Sequence, residues 1–136
     1  MNRISSLLAA AFLSSPAFAE PPHPSLKFDL KPAEIEETCA KGVAKAGERL
    51  DALAALPEPT RGFANTVLAF DFIGSDLETD VTSPTFLKYV STEKEVREAG
   101  HACETKVEKF SVDIYAREDL YKALKAYEAK GEKLSA

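Results

Sequence analysis

An all-α fold is predicted, an antiparallel bundle of three to four helices after a secretory signal peptide, and three observations predict it. First, Val96, Cys103, Val107, Phe110 and Ile114 recur at intervals of seven, four, three and four, with Ala99 and Gly100 between them. That spacing is the single buried stripe of a long amphipathic helix. Second, two further stripes with the same period precede it, over residues 35–53 and 63–77. Third, a hydrophobic content of 45% with 29% charged residues, no tryptophan and only six glycines suits a helical globular domain better than a sandwich.

Residues 1–19 are set apart from the fold. Arg3 gives a positive start, Ile4 to Phe12 is apolar but too short to span a bilayer, and Ala17-Phe18-Ala19 matches a small-residue cleavage site. The reading is a signal peptide, with the product periplasmic or secreted and no membrane segment after cleavage. Arg3 is the single charge in this stretch, so without it the 17 basic residues become 16 against 22 acidic ones, a net of −6. An acidic chain with no basic run argues against nucleic acid as a partner.

Residues 20–31 read as an extended leader, because Pro21, Pro22 and Pro24 exclude helix. Phe28 and Leu30 are expected to tuck onto the bundle, and His23 among the prolines is expected to be solvated. The bundle domain then covers residues 32–136. Its first helix starts near Pro32, a residue suited to the first helical position. Glu34, Glu36 and Glu37 favour the positive end of the helix dipole. Ile35, Cys39, Val43, Ala46, Leu50 and Leu53 form its buried stripe, and Pro57-Glu58-Pro59 ends it.

The second helix is expected after Thr60, as cap, and to run to about Leu77 with the stripe Phe63, Val67, Phe70, Ile73 and Leu77. Leu68 and Phe72 fall on nearly the opposite face. Two apolar faces imply either a central position or a surface meant for a partner. Residues 78–91 read as a connection, with a short helical turn beginning at Ser83-Pro84. The third helix runs from a Thr92 cap, with Glu95 completing a capping box, to about Tyr115. A fourth follows from about Arg117, with Leu120, Leu124 and Tyr127 in register, and is weakened by Gly131. Whether the third and fourth are continuous is left open by the pattern.

In such a bundle the first and third helices are parallel neighbours. Cys39 and Cys103 then lie at similar heights on their buried stripes. The pair is either a disulfide, as an exported chain permits, or two buried thiols in the core.

The stretch from residue 89 to 126 also carries a resemblance. Val90-Ser91, Glu95-Val96-Arg97-Glu98-Ala99, Lys109-Phe110 and Arg117-Glu118-Asp119-Leu120 resemble, in order and spacing, the N-terminal helical region of the thimet oligopeptidase and neurolysin family of zinc metallopeptidases. A weaker resemblance covers Phe28 to Leu77. It implies a helical domain that forms part of the wall of a peptide-enclosing channel, with a catalytic domain or peptides as partners. Zinc peptidase chemistry needs an HExxH helix. This chain has two histidines, His23 and His101, and Ala102 follows His101. The family's zinc ligands and catalytic glutamate therefore have no counterparts here. No catalytic residue, no metal ligand and no cofactor is expected in this chain, with zinc expected only in the absent catalytic domain, and the isolated chain should not hydrolyse peptides. A site from His101, Cys103 and Cys39 is disfavoured, because residues two apart on a helix point in different directions. The other reading is a free-standing exported module that binds peptides or a protein without enzymatic activity. In both, Leu68 and Phe72 are the candidate interaction patch.

Overall fold

Helix formation follows the apolar stripes at the first and third helices and departs from them at the second. The computed structural model describes residues 25–134, so the expected signal peptide over 1–19, the prolines at 21, 22 and 24, and His23 lie outside the described residues. The described chain forms helices α1 (Pro32–Ala54), α2 (Ala69–Val90), α3 (Lys94–Tyr115) and α4 (Glu118–Ala129). It contains no strand among the described residues. α1, α2 and α3 each pack against the other two, and α4 lies on α1 and on the start of the second helix.

α1 begins as its sequence predicts. Pro32 occupies the first turn, and the Glu34 carboxylate accepts the Lys31 backbone N–H at 2.8 Å. Ile35, Cys39, Ala46, Leu50 and Leu53 are buried, while Val43 is only half-buried. Its far end is closed by a residue the periodicity does not flag. Arg61 is 6% exposed, and its guanidinium donates to the carbonyls of Leu53 (3.1 Å), Ala54 (2.9 Å) and Leu56 (2.7 Å). Those carbonyls carry the negative end of the α1 dipole, so a cation there is favoured twice, by charge and by hydrogen bonding. Replacing Arg61→Ala is expected to cost about 2–3 kcal/mol, read as a lower urea midpoint with unchanged slope. Arg61→Lys should recover little of it, because an ammonium lacks the guanidinium's fork.

The second helix differs from expectation at both ends. Thr60 is no cap; it closes a 3-10 turn, Glu58–Thr60, with its hydroxyl donating to the Pro57 carbonyl at 2.8 Å. The helix starts at Phe63 and passes through a π-helical turn, Ala64–Leu68, into α2. The N–H of Phe63 is taken by the Glu132 carboxylate (2.9 Å), beyond the end of α4. Lys130 Nζ donates to the Pro59 carbonyl (3.1 Å) and to that of Arg61. Gly131, at φ +59°, supplies the left-handed turn that ends α4 and aims the tail at this loop.

At its other end α2 does not stop near Leu77. Residues 78–91 are no connection: the helix runs on to Val90 with Pro84 inside it. A proline there removes one ladder bond and is ordinarily read as a break. Burial overrides that local cost. Ile73, Leu77, Val81, Pro84 and Leu87 form one core-facing row at intervals of four, four, three and three. Opposite this row α3 presents Gly100, whose missing side chain lets the two backbones close. A Cβ built there would lie 2.8 Å from the Pro84 carbonyl oxygen and 3.0 Å from the Lys88 nitrogen.

α3 also starts differently from its reading. Thr92 makes no capping box; Ser91 Oγ accepts the Glu93 N–H (3.2 Å), and the Arg97 guanidinium donates to the carbonyls of Ser91 and Thr92, each at 3.0 Å. Val96, Ala99, Gly100 and Cys103 are buried, whereas Val107, Phe110 and Ile114 are half-buried. α3 and α4 are separate, with a turn at Ala116 and Arg117 between them. Arg117 ties that turn to α1: it donates to Asp51 at 2.7 Å and in a fork to both oxygens of Asp119, at 3.0 and 2.6 Å.

The Arg117 fork holds the exposed Asp119 carboxyl down to about 2 from 3.8. A depressed native-state value means that this pair's contribution is complete above the unfolded-state value. It is lost as pH falls through about 2. A carboxyl-detected NMR titration should place the Asp119 midpoint near 2, and Arg117→Ala should return it to the ordinary range of about 4.

Candidate binding groove

The three seams of the bundle are finished differently, and the difference defines the site. The α1–α2 seam is bridged by ion pairs from Lys45 to Asp80 (2.8 Å) and Arg49 to Asp76 (2.5 Å). The α1–α3 seam is bridged near its ends by Lys31 with Glu93 (3.7 Å) and by Arg117 with Asp51 (2.7 Å). Inside it lies the Cys39–Cys103 disulfide, with Cα atoms 5.7 Å apart and both residues buried. The bond takes up both thiols. His101 is exposed, with its ring nitrogen 3.9 Å from Glu104. No group of three His, Cys, Asp or Glu residues placed to hold a metal ion occurs among the described residues.

The α2–α3 seam is closed at one end, where Gly100 packs on the Pro84 backbone and Lys88 pairs with Glu104, and opens beyond it. Along it lies a groove of about 870 Å³ floored by Phe70, Ile73, Leu77, Val81, Val107 and Ile114. Its edges carry large exposed apolar residues, Phe86 and Tyr89 from α2 and Val112 and Tyr115 from α3. Three hydroxyls that line it are turned back on their own helices. Thr82 donates to the Glu78 carbonyl (2.6 Å), Thr85 to that of Val81 (3.0 Å) and Ser111 to that of Val107 (2.9 Å). These hydroxyl protons are spent within the fold, which leaves the groove more apolar than its residue names suggest.

One end of the groove is closed by charge. Lys88, whose side chain is 15% exposed, forms an ion pair with Glu104 and lies 4.4 Å over the Tyr89 ring, a cation–π distance. The leader reaches the same end: the Lys27 N–H donates to Ser83 Oγ (3.0 Å), and Phe28 meets Phe86 edge-on at 6.1 Å between centroids. Phe28 itself stays exposed, while Leu30 packs on the core.

The residues singled out from the sequence are distributed unevenly around this site. Phe72 is half exposed and Leu68 half-buried, and neither is among the groove's lining residues. The disulfide lies in a different seam. The sequence pattern does not reveal this larger apolar surface, because its α2 wall extends through residues 78–89, where Pro84 signals a break. One signal could have found it. The buried row continues past Leu77 as Val81, Pro84 and Leu87, and Glu78, Thr82, Thr85 and Tyr89 flank it at helical spacing on one side.

No helix among the described residues is long and apolar enough to cross a membrane. The disulfide is compatible with the oxidising compartment that a signal peptide implies. No family model matches the chain. A stretch of 90 residues, 66% of the chain, is 34% identical to a thimet-like oligopeptidase of Dictyostelium discoideum and covers 12% of that protein. The chain is thus related in part to the thimet-like oligopeptidases, and it spans about 12% of the length of the curated relative it matches.

Proposed function

We propose that the chain acts as the N-terminal helical domain of a thimet-oligopeptidase-like zinc metalloendopeptidase, forming part of the wall that encloses peptide substrates and carrying no catalytic zinc motif of its own. The observation that supports this most is the 34% identity over 90 residues to a protein about eight times longer than the matched stretch. A second support is the α2–α3 groove, an apolar surface of the kind that a larger assembly or a bound chain covers. With zinc and a quenched fluorescent peptide, the purified chain should show no chelator-sensitive turnover. Added to a thimet-like oligopeptidase from which the matching stretch has been deleted, it should restore hydrolysis. Turnover by the chain alone would overturn the first half of the reading, and failure of complementation the second.

A second reading is favoured by the groove itself: a free-standing exported module that binds a peptide or protein between α2 and α3 without enzymatic activity. The disulfide that ties α1 to α3, and the tail that bonds to the Phe63 N–H and the Pro59 carbonyl, are internal tethers of the kind a free-standing module needs. Binding of a partner without complementation would favour this reading.

A further inference from the structure

We infer that the α2–α3 groove is a seat for a cationic amphipathic helix of a protein partner, an inference that deepens the second reading by naming the chemistry of what is bound. Its shape sets the kind of ligand. The lining residues on α2 run from Phe70 to Tyr89, a length of about 28 Å at 1.5 Å per residue. α3 runs antiparallel beside it, so the floor is a long, shallow, apolar trough between two helices. The stretch walled on both sides is set by the α3 lining, Glu104 to Tyr115, about 16 Å, and it accepts the apolar face of a helix of about three turns, anchored at i, i+3, i+4 and i+7.

Its charge sets the sign of the ligand. None of the residues lining the groove is Lys, Arg or His, and three are acidic: Glu78 on the α2 wall, Glu104 and Glu108 on the α3 wall. Asp71 lies two turns before Glu78 on the same face of α2. Glu104 is already paired with Lys88, whereas Glu78 and Glu108 are exposed on opposite walls. An apolar helix flanked on both sides by lysine or arginine would meet a carboxylate from each wall. A second copy of this chain seated face to face would instead bring like-charged rims together, which complementary interfaces avoid.

The test uses two labelled 20-residue peptides of the same apolar face, leucines at the anchor spacing, one flanked by lysines and one by glutamates. Fluorescence anisotropy with the purified chain should show saturable binding of the lysine peptide, weakening with added salt, and at least tenfold weaker binding of the glutamate peptide. Charge reversal of both walls, Glu78→Lys with Glu108→Lys, should invert that preference while the thermal melt stays unchanged, since both residues are exposed. Val112→Asp, at the apolar edge, should weaken both peptides. The inference is overturned if the lysine peptide does not bind, if wall reversal leaves its affinity unchanged, or if sedimentation shows a dimer that Val112→Asp dissolves. Because the readout is binding and not turnover, its failure is separable from failure of complementation by the peptidase.

Discussion

Reduction of the Cys39–Cys103 bond is expected to lower the melting temperature of the chain by about 15–20 °C. The bond joins residues 64 apart in sequence. Chain-entropy arguments give a loop of that size about 4 kcal/mol of stabilisation, through the freedom it denies the unfolded chain. Native packing around the bond is already provided by its neighbours on α1 and α3, so the paired substitution Cys39→Ala with Cys103→Ala should reproduce the loss without refilling it. Thermal melts followed by circular dichroism, with and without reductant, check this. The double variant should no longer respond to reductant. Because both sulfurs are buried, reduction of the native chain should be slow until it is warmed or mildly denatured. A melt that is insensitive to reduction would mean that the two thiols contribute only as small core residues.

The second large effect is expected at Gly100. Two helical glycines, Gly100 and Gly74, should respond to substitution with opposite signs, because what surrounds them differs. Glycine to alanine in a helix interior gains about 1 kcal/mol from backbone entropy. At Gly74 nothing lies within 4 Å of the new Cβ, so Gly74→Ala should stabilise by up to that amount. At Gly100 the new Cβ meets the Pro84 carbonyl oxygen at 2.8 Å, and both partners are backbone of packed helices. Overpacking there should cost about 1–3 kcal/mol and outweigh the propensity gain, leaving Gly100→Ala net destabilised. Gly100→Leu should cost about 3 kcal/mol or more and force α2 and α3 apart. Urea midpoints of the three variants, compared at constant slope, decide it. A stabilised Gly100→Ala would mean that the α2–α3 contact is looser than the structure describes. The same variants bear on the groove. Separating the helices at Gly100 should widen the trough and weaken any helix seated in it, whereas Gly74, a lining residue, adds only one methyl group.

How much of this was legible in the residues varies from element to element. α1 was readable almost entirely, since Pro32 marks its start, Pro57 its end, and the stripe from Ile35 to Leu53 is unbroken. α3 and α4 were readable in extent but not at their ends. Thr92 and Glu95 satisfy a local capping pattern, yet Ser91 and Arg97 take those roles once the chain turns back from α2. From Glu78 onward α2 is not legible in the pattern, because Pro84 is a strong local break signal and the burial that outweighs it comes from other helices. The groove is hidden with it, since one of its walls is made of those residues.

By itself, the amino-acid sequence determined the helical class, the parallel arrangement of α1 and α3 that brings Cys39 and Cys103 to one height, and the acidic balance of the chain. Those follow from helical periodicity and from composition, properties of residues near each other in the chain. Only the tertiary structure decided that α2 continues through Pro84, that Arg61 closes α1, and that α4 lies on α1 and leaves the α2–α3 seam partly open. Each of these depends on contacts between residues distant in sequence or on burial that a one-dimensional pattern does not record, and the free energy of that burial exceeds the local preferences it overrides.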